Sequence, residues 1–326
     1  MAYRVRREEL ASLWPEWARL VDQQPEPVPF LHPAWHKVWL DEFQSDREPL
    51  ILSVRDGDAL VGVAPLLRDN GRLSLIGHYS ICDYMDFVVA PGRSEGFFPA
   101  LLGALQEESW SELELRGLRD GSPTLSELPA LAERAGYTVE REEEAVAPRV
   151  VLAPSWDEYV AALSKKNRHE LRRKLRRLEA AGETELKIYT SREEVTARLP
   201  MLLRFMVESR TDKAAFMSEQ MGRFFHRMVQ ELSNEGLLRL YELELDAKVV
   251  ASVLCFDQGG QIYLYNSGYD PQYASLAVGL VSKALCLRDA IESGRHCVDF
   301  LRGDEPYKYH LGATDQLIYR CVIRRT

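Results

Sequence analysis

The strongest constraint on the fold is an internal repeat. The run Leu60-Val-Gly-Val-Ala-Pro65 aligns with Val249-Val-Ala-Ser-Val-Leu254, and Leu113-Glu-Leu-Arg-Gly117 aligns with Asp299-Phe-Leu-Arg-Gly303. The aligned runs begin 189 and 186 positions apart, so few residues are inserted between them. In both halves the predicted helices come first, and a strand meander, a helix and a further strand follow. The sequence therefore predicts two copies of one α/β unit.

The chain length and the charge distribution agree with two domains. At about 150 residues per domain, 326 residues correspond to about two domains. Residues 1–150 hold 15 Lys/Arg and 26 Asp/Glu, whereas residues 151–326 hold 26 Lys/Arg and 24 Asp/Glu. Pro148 and Pro154 bracket a strand-like stretch between the two segments. We therefore predict domains over residues 1–150 and 151–326. A general nucleic-acid-binding protein is disfavoured, because it would be strongly basic.

The cysteines and the hydropathy of the chain argue against several classes of protein. The five cysteines form no Cys-x-x-Cys pair and mostly lie in apolar runs, so we expect buried side chains rather than a disulfide framework or a zinc site. The seven histidines lack metal-ligand spacing, and we expect no metal. The charged N-terminus lacks the apolar stretch of a signal peptide, and no apolar run reaches the roughly 18 residues of a membrane span. We expect a cytoplasmic protein.

A dense basic segment follows the predicted boundary. The helix predicted from Ser164 carries eight Lys/Arg between positions 165 and 177 against one Glu. Its leucines recur at helical spacing and predict one packed face. The other faces form either a solvated surface or an anion-binding surface. Candidate anions are the phosphates of a coenzyme, an anionic glycan or nucleotide-sugar, and an RNA, and Arg168 is the candidate contact.

The second candidate region is a strand–loop–helix unit. The strand 261–267 leads through the loop 268–275 into a helix predicted from about Leu276 to Ser293. A helix N-terminus presents free N–H groups and the positive end of the helix dipole, so it binds a pyrophosphate without side-chain charge. Many strand–loop–helix units bind nothing, so the pattern alone is not specific.

The third candidate region follows the strand-like stretch 298–301. Five titratable side chains crowd into the next residues: Asp304, Glu305, Tyr307, Lys308 and His310. Titratable groups at the end of a strand in an α/β fold are candidates for function. A polar surface loop is the alternative.

Three stretches resemble the CelD/BioF-like branch of the GNAT acyltransferase superfamily, which is similar to the Fem-type peptidoglycan aminoacyltransferases. They are Pro29–Trp39, the basic helix from Ser164, and Asp299–Lys308, and they occur in this order over nearly the whole chain. The resemblance implies a tandem duplicated GNAT fold with mixed sheets and flanking helices. It also implies an acetyl-CoA or other acyl-CoA donor and a small-molecule amine acceptor, such as a sugar or a cell-envelope precursor.

The resemblance further implies where the donor and the reacting groups lie. The GNAT pyrophosphate loop, Gln/Arg-x-x-Gly-x-Gly/Ala, is matched best by Gln272–Ala277, with serine where the motif has glycine. The predicted donor-binding residues are Tyr269, Ala274, Ser275, Ala277 and Gly279. The predicted catalytic residues are Asp83, Asp86 and Tyr307. The predicted acceptor-binding residues are Lys308, Asp304 and Arg168.

The roles of these residues follow from the chemistry of amine acylation. An amine of pKa near 10 must lose a proton before it attacks, so a base is needed, and one of the two aspartates is our candidate. Turn-capping aspartates are the alternative. The tyrosine is the candidate acid for the leaving thiolate.

The first half matches the pyrophosphate loop only in Arg93–Phe98, which lacks the last small residue. We therefore expect a degenerate donor site in the first half and donor binding in the second half.

Two other classes of function stay open. A Fem-like enzyme with an aminoacyl-tRNA donor is favoured by the basic helix. A catalytically inactive GNAT-like binding protein is favoured by the imperfect pyrophosphate loops.

Overall fold

The structure is a computed structural model that describes residues 3–209 and 215–325. The chain divides into two compact units: unit 1 comprises Met1–Val146 and Gln316–Thr326, and unit 2 comprises Ala147–Asp315. Within the described ranges, no helix is long and apolar enough to cross a bilayer. The same ranges contain no group of three His, Cys, Asp or Glu that could hold a metal ion. All five cysteines are buried thiols, which confirms the interpretation of their apolar surroundings.

Unit 1 combines one mixed sheet with flanking helices. Its helices are α1 (Leu10–Asp22), α2 (Pro33–Phe43), α3 (Ser94–Glu107) and α4 (Pro123–Arg134), with a 3₁₀ turn at Pro29–Leu31. Its strands are β1 (Tyr3–Arg7), β2 (Glu48–Asp56), β3 (Ala59–Asp69), β4 (Arg72–Leu75), β5 (Val88–Val89), β6 (Glu112–Arg119), β7 (Thr138–Val146) and β14 (Leu317–Arg324). They pair in the order β1-β2-β3-β4-β6-β14-β7, and β5 pairs with β3. The β4–β6 pair is parallel, and the other neighbouring strands are antiparallel.

Unit 2 has the same kind of architecture. Its helices are α5 (Trp156–Ala162), α6 (Lys165–Glu179), α7 (Arg192–Ser209), α8 (Glu219–Asn234), α9 (Val278–Glu292) and α10 (Pro306–His310), with a 3₁₀ helix at Pro271–Leu276. Its strands are β8 (Arg149–Val151), β9 (Thr184–Tyr189), β10 (Leu238–Leu245), β11 (Lys248–Gln258), β12 (Gln261–Tyr269) and β13 (Cys297–Asp299). They pair in the order β8-β13-β12-β11-β10-β9. The β12–β13 pair is parallel, and the others are antiparallel.

The tight turns of both meanders follow from local sequence. Asn70-Gly71, Asp246-Ala247 and Gly259-Gly260 all have positive φ at both residues. Two consecutive residues of positive φ form the two-residue turn whose twist matches antiparallel strands, and Asn and Gly reach this conformation at low cost. These turns connect β3 to β4, β10 to β11 and β11 to β12.

The two units repeat one topology, as the internal repeat predicts. β3 and β11 each lie inside an antiparallel meander. β6 runs parallel to β4, and β13 runs parallel to β12. β3, β6 and β11 contain three of the aligned runs, and the fourth run, Asp299–Gly303, begins at the last residue of β13. The predicted tandem α/β fold with mixed sheets and flanking helices is therefore confirmed.

Each sheet contains one strand that the predicted domain segments did not place there. β14, at the C-terminus, lies between β6 and β7 of unit 1. β8, which we interpreted as part of the linker, pairs with β13 of unit 2. The units therefore differ from the predicted segments 1–150 and 151–326, because backbone pairing assigns residues 316–326 to the first sheet.

The Pro29–Trp39 stretch, which carries part of the family resemblance, forms core rather than surface. Phe30, Trp35 and Trp39 are at most 1% exposed. His32 accepts a hydrogen bond from the backbone amide of Ala34 through Nδ1 at 3.2 Å, and His36 lies 3.0 Å from the carbonyl of His32. Burial lowers the pKa of both histidines to about 4, so both rings are neutral at pH 7.

Candidate active site

The parallel strand pair of unit 2 opens after three residues. β12 and β13 pair only over Gln261↔Cys297, Ile262↔Val298 and Tyr263↔Asp299. β13 ends at Asp299, whereas β12 continues to Tyr269. We call β12 and β13 the splayed pair. Beyond Tyr263 this edge of β12 is paired with no other strand within the described residues, so the two strands separate there.

A β-bulge lies where the two strands separate. On the other edge of β12, Leu254 pairs with Asn266 and Cys255 pairs with Leu264, so Tyr265 is the extra residue. A bulge bends a strand and redirects its backbone groups, and bulges are frequent beside active sites. The ring of Tyr265 packs 4.9 Å from that of Phe256 and 6.1 Å from that of Phe225, which fixes the bulge in place.

The N-terminus of α9 lies next along the chain. The N-cap residue Ala277 has φ 57° and ψ 34°, and no side chain caps the helix. The first hydrogen bonds of the helix run from the amides of Leu280 and Val281 to the carbonyl of Ala277. The amides of Val278 and Gly279 are therefore among the first donors of the helix, at the positive end of its dipole.

Tyr269 packs on this helix end. A Cβ atom added to Gly279 would lie 2.8 Å from the Tyr269 ring, so the glycine is needed for their close approach. Tyr269 also joins the apolar cluster that holds Tyr273 and Leu276 of the 3₁₀ helix. The structure thus brings Tyr269, Ala277 and Gly279 together, as predicted for donor-binding residues, although their role stays a prediction.

The remaining two predicted donor-binding residues lie at the surface. Ala274 and Ser275 are exposed in the 3₁₀ helix, and the amide of Ala277 donates to the carbonyl of Ala274 at 2.9 Å. The 3₁₀ helix begins at Asp270, whose carboxylate accepts from the amide of Gln272 at 2.9 Å. This short helix shifts the start of α9 to Val278, two residues later than predicted.

The loop after β13 is held by two buried charged side chains. Asp299 is 3% exposed and accepts from the amide of Leu301 at 2.7 Å. Leu301 has φ 59°, a conformation that costs a branched residue roughly 1–2 kcal/mol. Lys308 is 1% exposed and donates from Nζ to the carbonyls of Leu301, Arg302 and Gly303 at 2.8, 3.0 and 2.9 Å. These contacts hold the loop in its strained conformation.

The structure gives Lys308 a structural role that the sequence did not predict. Its ammonium group has three hydrogens, and three carbonyls together with Glu305 at 2.9 Å occupy them. Binding of an anionic acceptor by Lys308 stays a prediction. The sequence correctly predicted that Lys308 belongs to the polar cluster. It did not predict the burial of this side chain, which depends on the tertiary fold. Asp304, from the same cluster, is exposed.

Tyr307 lies between the loop and α9. Its ring packs 6.0 Å from Phe300, edge to face, and the ammonium of Lys283 lies 4.9 Å from the ring centroid. Lys283 is 8% exposed and donates to the carbonyl of Gly279 at 2.7 Å. Lys283 was not among the predicted site residues. A lysine within the apolar stretch Val278–Leu287 could have indicated a functional role, because such a position is normally occupied by an apolar core residue.

Arg168 lies on the basic helix α6, away from the polar cluster in sequence. Its guanidinium donates to the carbonyl of Ala161 at 2.7 Å, so part of its hydrogen-bonding capacity serves the turn between α5 and α6. It also lines an open groove on α6 of about 620 Å³. Acceptor binding by Arg168 stays a prediction.

The equivalent strand pair of unit 1 is filled by its own chain. β4 and β6 pair over three residues, and β4 ends at Leu75. A segment of residues 76–87 then leaves the sheet before β5 resumes the pairing with β3. Within this segment the amide of Met85 donates to the carbonyl of Gly117 on β6 at 3.0 Å. Met85 and Tyr84 are buried, so the segment fills part of the place where the strands of unit 2 separate, beside a pocket of about 280 Å³ that Gly77, Met85 and Glu114 help to line.

Both predicted aspartates of unit 1 belong to this segment. Asp86 accepts hydrogen bonds from the hydroxyls of Ser122 and Thr124 and from the amide of Phe87, the last at 2.8 Å. Burial raises the pKa of this carboxyl group. Ser122 caps α4, so Asp86 supports the start of that helix. This is a structural role, as in the turn-capping alternative to catalysis. Asp83 is half-buried, and its role as a base or acceptor contact stays a prediction.

The first turn of α3 in unit 1 is also covered. A Cβ atom added to Gly96 would lie 2.2 Å from the Tyr3 ring. The guanidinium of Arg93 lies 5.7 Å from the centre of the same ring and forms an ion pair with Asp56. Protein groups thus occupy the place that corresponds to the start of α9.

Comparison with known proteins agrees with this geometry. Residues 165–309 match the model of the acetyltransferase (GNAT) domain, a range that includes the splayed pair, α9 and Tyr307. No curated protein matches the chain in sequence.

Solved structures share the fold over the whole chain. FemX is 13% identical with a TM-score of 0.67, covering 97% of this chain and 96% of FemX. The C-terminal domain of a putative lysylphosphatidylglycerol synthetase from Agrobacterium fabrum is 10% identical with a TM-score of 0.61, covering 96% and 92%. A tandem GNAT protein from the clavulanic acid biosynthesis pathway is 13% identical with a TM-score of 0.50, covering 98% of each chain. At such identities the likeness concerns the fold alone.

Residues 165–309, which lie within unit 2, match a GNAT-type acetyltransferase domain. The chain as a whole shares its fold with FemX and with the tandem GNAT protein.

Proposed function

We propose that this protein is an N-acyltransferase that moves an acyl group from acyl-CoA to an amine acceptor, such as a sugar or a cell-envelope precursor. We propose further that the donor binds in unit 2. The observation that carries the proposal is the splayed pair, which separates after Tyr263, while β12 runs on to Tyr269 against the uncapped start of α9. In unit 1, residues 76–87 cross the corresponding place.

The start of α9 suits the pyrophosphate of the donor. The amides of Val278 and Gly279 lie at the positive end of the helix dipole, which favours an anion without a charged side chain. Gly279 has no side chain to block the approach, and Tyr269 packs against it as one wall. The edge of β12 beyond Tyr263 would then receive the pantetheine arm by strand-like hydrogen bonds.

The reaction joins the amine nitrogen to the thioester carbonyl carbon and breaks the bond from carbon to sulfur. The amine loses its proton to a base, and the thiolate of CoA gains one from an acid. Backbone N–H groups of β12 near the bulge would stabilise the oxyanion of the tetrahedral intermediate. Tyr307 is the proposed acid, because it packs on Phe300 after β13 and faces Lys283 of α9, which both border the opening.

A second candidate function is transfer from an aminoacyl-tRNA. The observation in its favour is α6, whose exposed face carries Lys165, Arg172 and Arg176. Retention of tRNA at low salt and its steep loss as salt rises would support this alternative.

Calorimetric titration of the full chain with acetyl-CoA tests the donor site. We expect one donor bound per chain, because the Tyr3 ring and the Arg93–Asp56 ion pair cover the first turn of α3 in unit 1. The variant Ser275→Glu adds a negative charge beside the start of α9, and we expect it to weaken acetyl-CoA binding about tenfold. The matched control Ser126→Glu makes the same change at an exposed serine in the first turn of α4, and we expect no effect on binding.

Two results would contradict the proposal. Absence of binding by acetyl-CoA and by longer acyl-CoAs would exclude a CoA donor. Equal weakening by both glutamate variants would remove the start of α9 from the donor site. For the acid, Tyr307→Phe should lower kcat about 10²-fold with unchanged donor affinity, and an unchanged kcat would exclude this role.

A further inference from the structure

A row of cations on α6 has no counter-ions. Lys165, Arg172 and Arg176 are exposed, and they form no ion pair with any residue that the structure describes. They are seven and four residues apart, so they lie on one face of the helix, over about 16 Å at 1.5 Å per residue. We call these three side chains the α6 stripe. No acidic side chain among residues 3–209 and 215–325 pairs with them to relieve their mutual repulsion.

The neighbouring Arg173 provides an internal contrast. It is exposed on the same helix, but it forms a bidentate pair with Glu170, with contacts of 2.8 and 3.3 Å. Its charge is therefore compensated within the helix. The α6 stripe instead lines the groove of about 620 Å³, with Leu175 as its apolar part.

Apolar packing connects this helix to the proposed donor site. Leu178 of α6 is 2% exposed and lies in the same hydrophobic cluster as Tyr269, Tyr273 and Leu276. These residues form the end of β12 and the 3₁₀ helix that lead into α9. An anionic ligand that begins at the start of α9 can therefore extend along the surface of one hydrophobic cluster towards α6.

The groove favours one nucleotide over a long nucleic acid. His169 supplies the one aromatic ring among the described residues that line it, so the groove lacks the row of platforms on which successive bases stack. The carboxylate of Glu179 lies at one end and would repel a phosphate chain that continued past it. Guanidinium groups bind a terminal phosphate through two parallel hydrogen bonds.

We propose that the α6 stripe binds the 3′-phosphate of the nucleotide end of coenzyme A. This inference rests on the proposed acyl-CoA donor and adds how the enzyme distinguishes CoA from donors without a 3′-phosphate. Arg172 and Arg176 are the contacts to the phosphate, and Lys165 supports them by its charge.

Calorimetry with CoA and with 3′-dephospho-CoA tests the inference on the full chain. We expect CoA to bind at least tenfold more tightly than 3′-dephospho-CoA. Arg172→Ala and Arg176→Ala should each weaken CoA binding about tenfold and leave 3′-dephospho-CoA binding unchanged. The control Arg173→Ala should change neither. All three side chains are exposed, so urea unfolding should be the same for each variant and the parent chain.

The possible outcomes separate this inference from the donor proposal. Equal affinity for CoA and 3′-dephospho-CoA would overturn the role of the α6 stripe and leave the acyl-CoA donor standing. Failure of both ligands to bind would overturn both. If Arg172→Ala and Arg176→Ala abolish binding of a short RNA duplex but leave CoA affinity unchanged, α6 is a nucleic-acid surface and the inference is wrong.

Discussion

The two units form the same parallel strand pair and complete it in different ways. In unit 2, β12 runs on past its pairing with β13, carries a one-residue bulge at Tyr265, and leads to the uncapped start of α9. In unit 1, the segment of residues 76–87 leaves the sheet near the corresponding place, and Met85 bonds to Gly117 across the opening. One extra residue lies where the strands separate in unit 2, whereas twelve residues cross the corresponding place in unit 1.

The units also use buried charges of opposite sign. In unit 2 the ammonium of Lys308 binds three carbonyls, and in unit 1 the carboxylate of Asp86 binds two hydroxyls and an amide. Each group satisfies backbone or hydroxyl groups that water would otherwise solvate. The duplication thus preserved the sheet topology, while the loops around each strand pair acquired their own supports.

The largest expected effect concerns β14. A chain that ends before Gln316 lacks the strand between β6 and β7, and we expect unit 1 to lose its entire free energy of unfolding, on the order of 5–15 kcal/mol. Tryptophan fluorescence during urea unfolding measures the stability of unit 1, because this unit holds five of the six tryptophans. A peptide of residues 316–326 should restore the transition. An unchanged transition in the truncated chain would contradict the strand assignment.

Acid should weaken unit 1 through His32 and His36. Their pKa of about 4 lies below the ordinary 6.5, so the unfolded chain binds more protons between these values. The stability contributed by the neutral rings is complete above pH 6.5 and is lost as the pH falls towards 4, by about 3 kcal/mol for each histidine. Urea unfolding of the parent chain and of His36→Phe, each at pH 7 and at pH 4.5, measures this loss of free energy of unfolding. The same pH dependence in both proteins would show that His36 does not cause the loss.

Replacing Lys308 with Met should destabilise unit 2 by about 3 kcal/mol, since three carbonyls lose their donor inside the protein. Thermal and urea unfolding measure the change. Asp304→Ala is the control, because Asp304 is exposed four residues away and should change stability by less than about 0.5 kcal/mol. If Lys308→Met unfolds like the parent chain, the ammonium does not hold the loop.

The smallest expected effect concerns the start of α9. Ala277→Gly removes the cost of a positive φ on alanine, and we expect a gain of up to about 1 kcal/mol. Ala274→Gly, within the 3₁₀ helix, lacks this benefit and should lose about 0.5–1 kcal/mol. Differential scanning calorimetry compares the two variants. A loss of stability in both would show that Ala277 is not strained.

Local sequence predicted much of the fold. Alternating apolar residues and the turns at Asn70-Gly71 and Gly259-Gly260 fixed the meanders, since strand period and positive φ depend on neighbouring residues only. The small residues before α9 indicated a helix N-terminus, although Ala277 moved its start to Val278. The buried state of Lys308 was not predictable, because it depends on carbonyls that the fold of the loop brings together.

The repeat of one α/β unit is readable from the amino-acid sequence alone, because both halves carry the same order of strands, turns and helices. The concentration of positive charge on α6 is equally readable, since eight Lys/Arg within thirteen positions need no fold to be recognised. The placement of β14 in the first sheet and of β8 in the second depends on the tertiary fold. These strand pairs join residues roughly 150 to 210 positions apart through backbone groups that every residue has, so no local pattern specifies the partner.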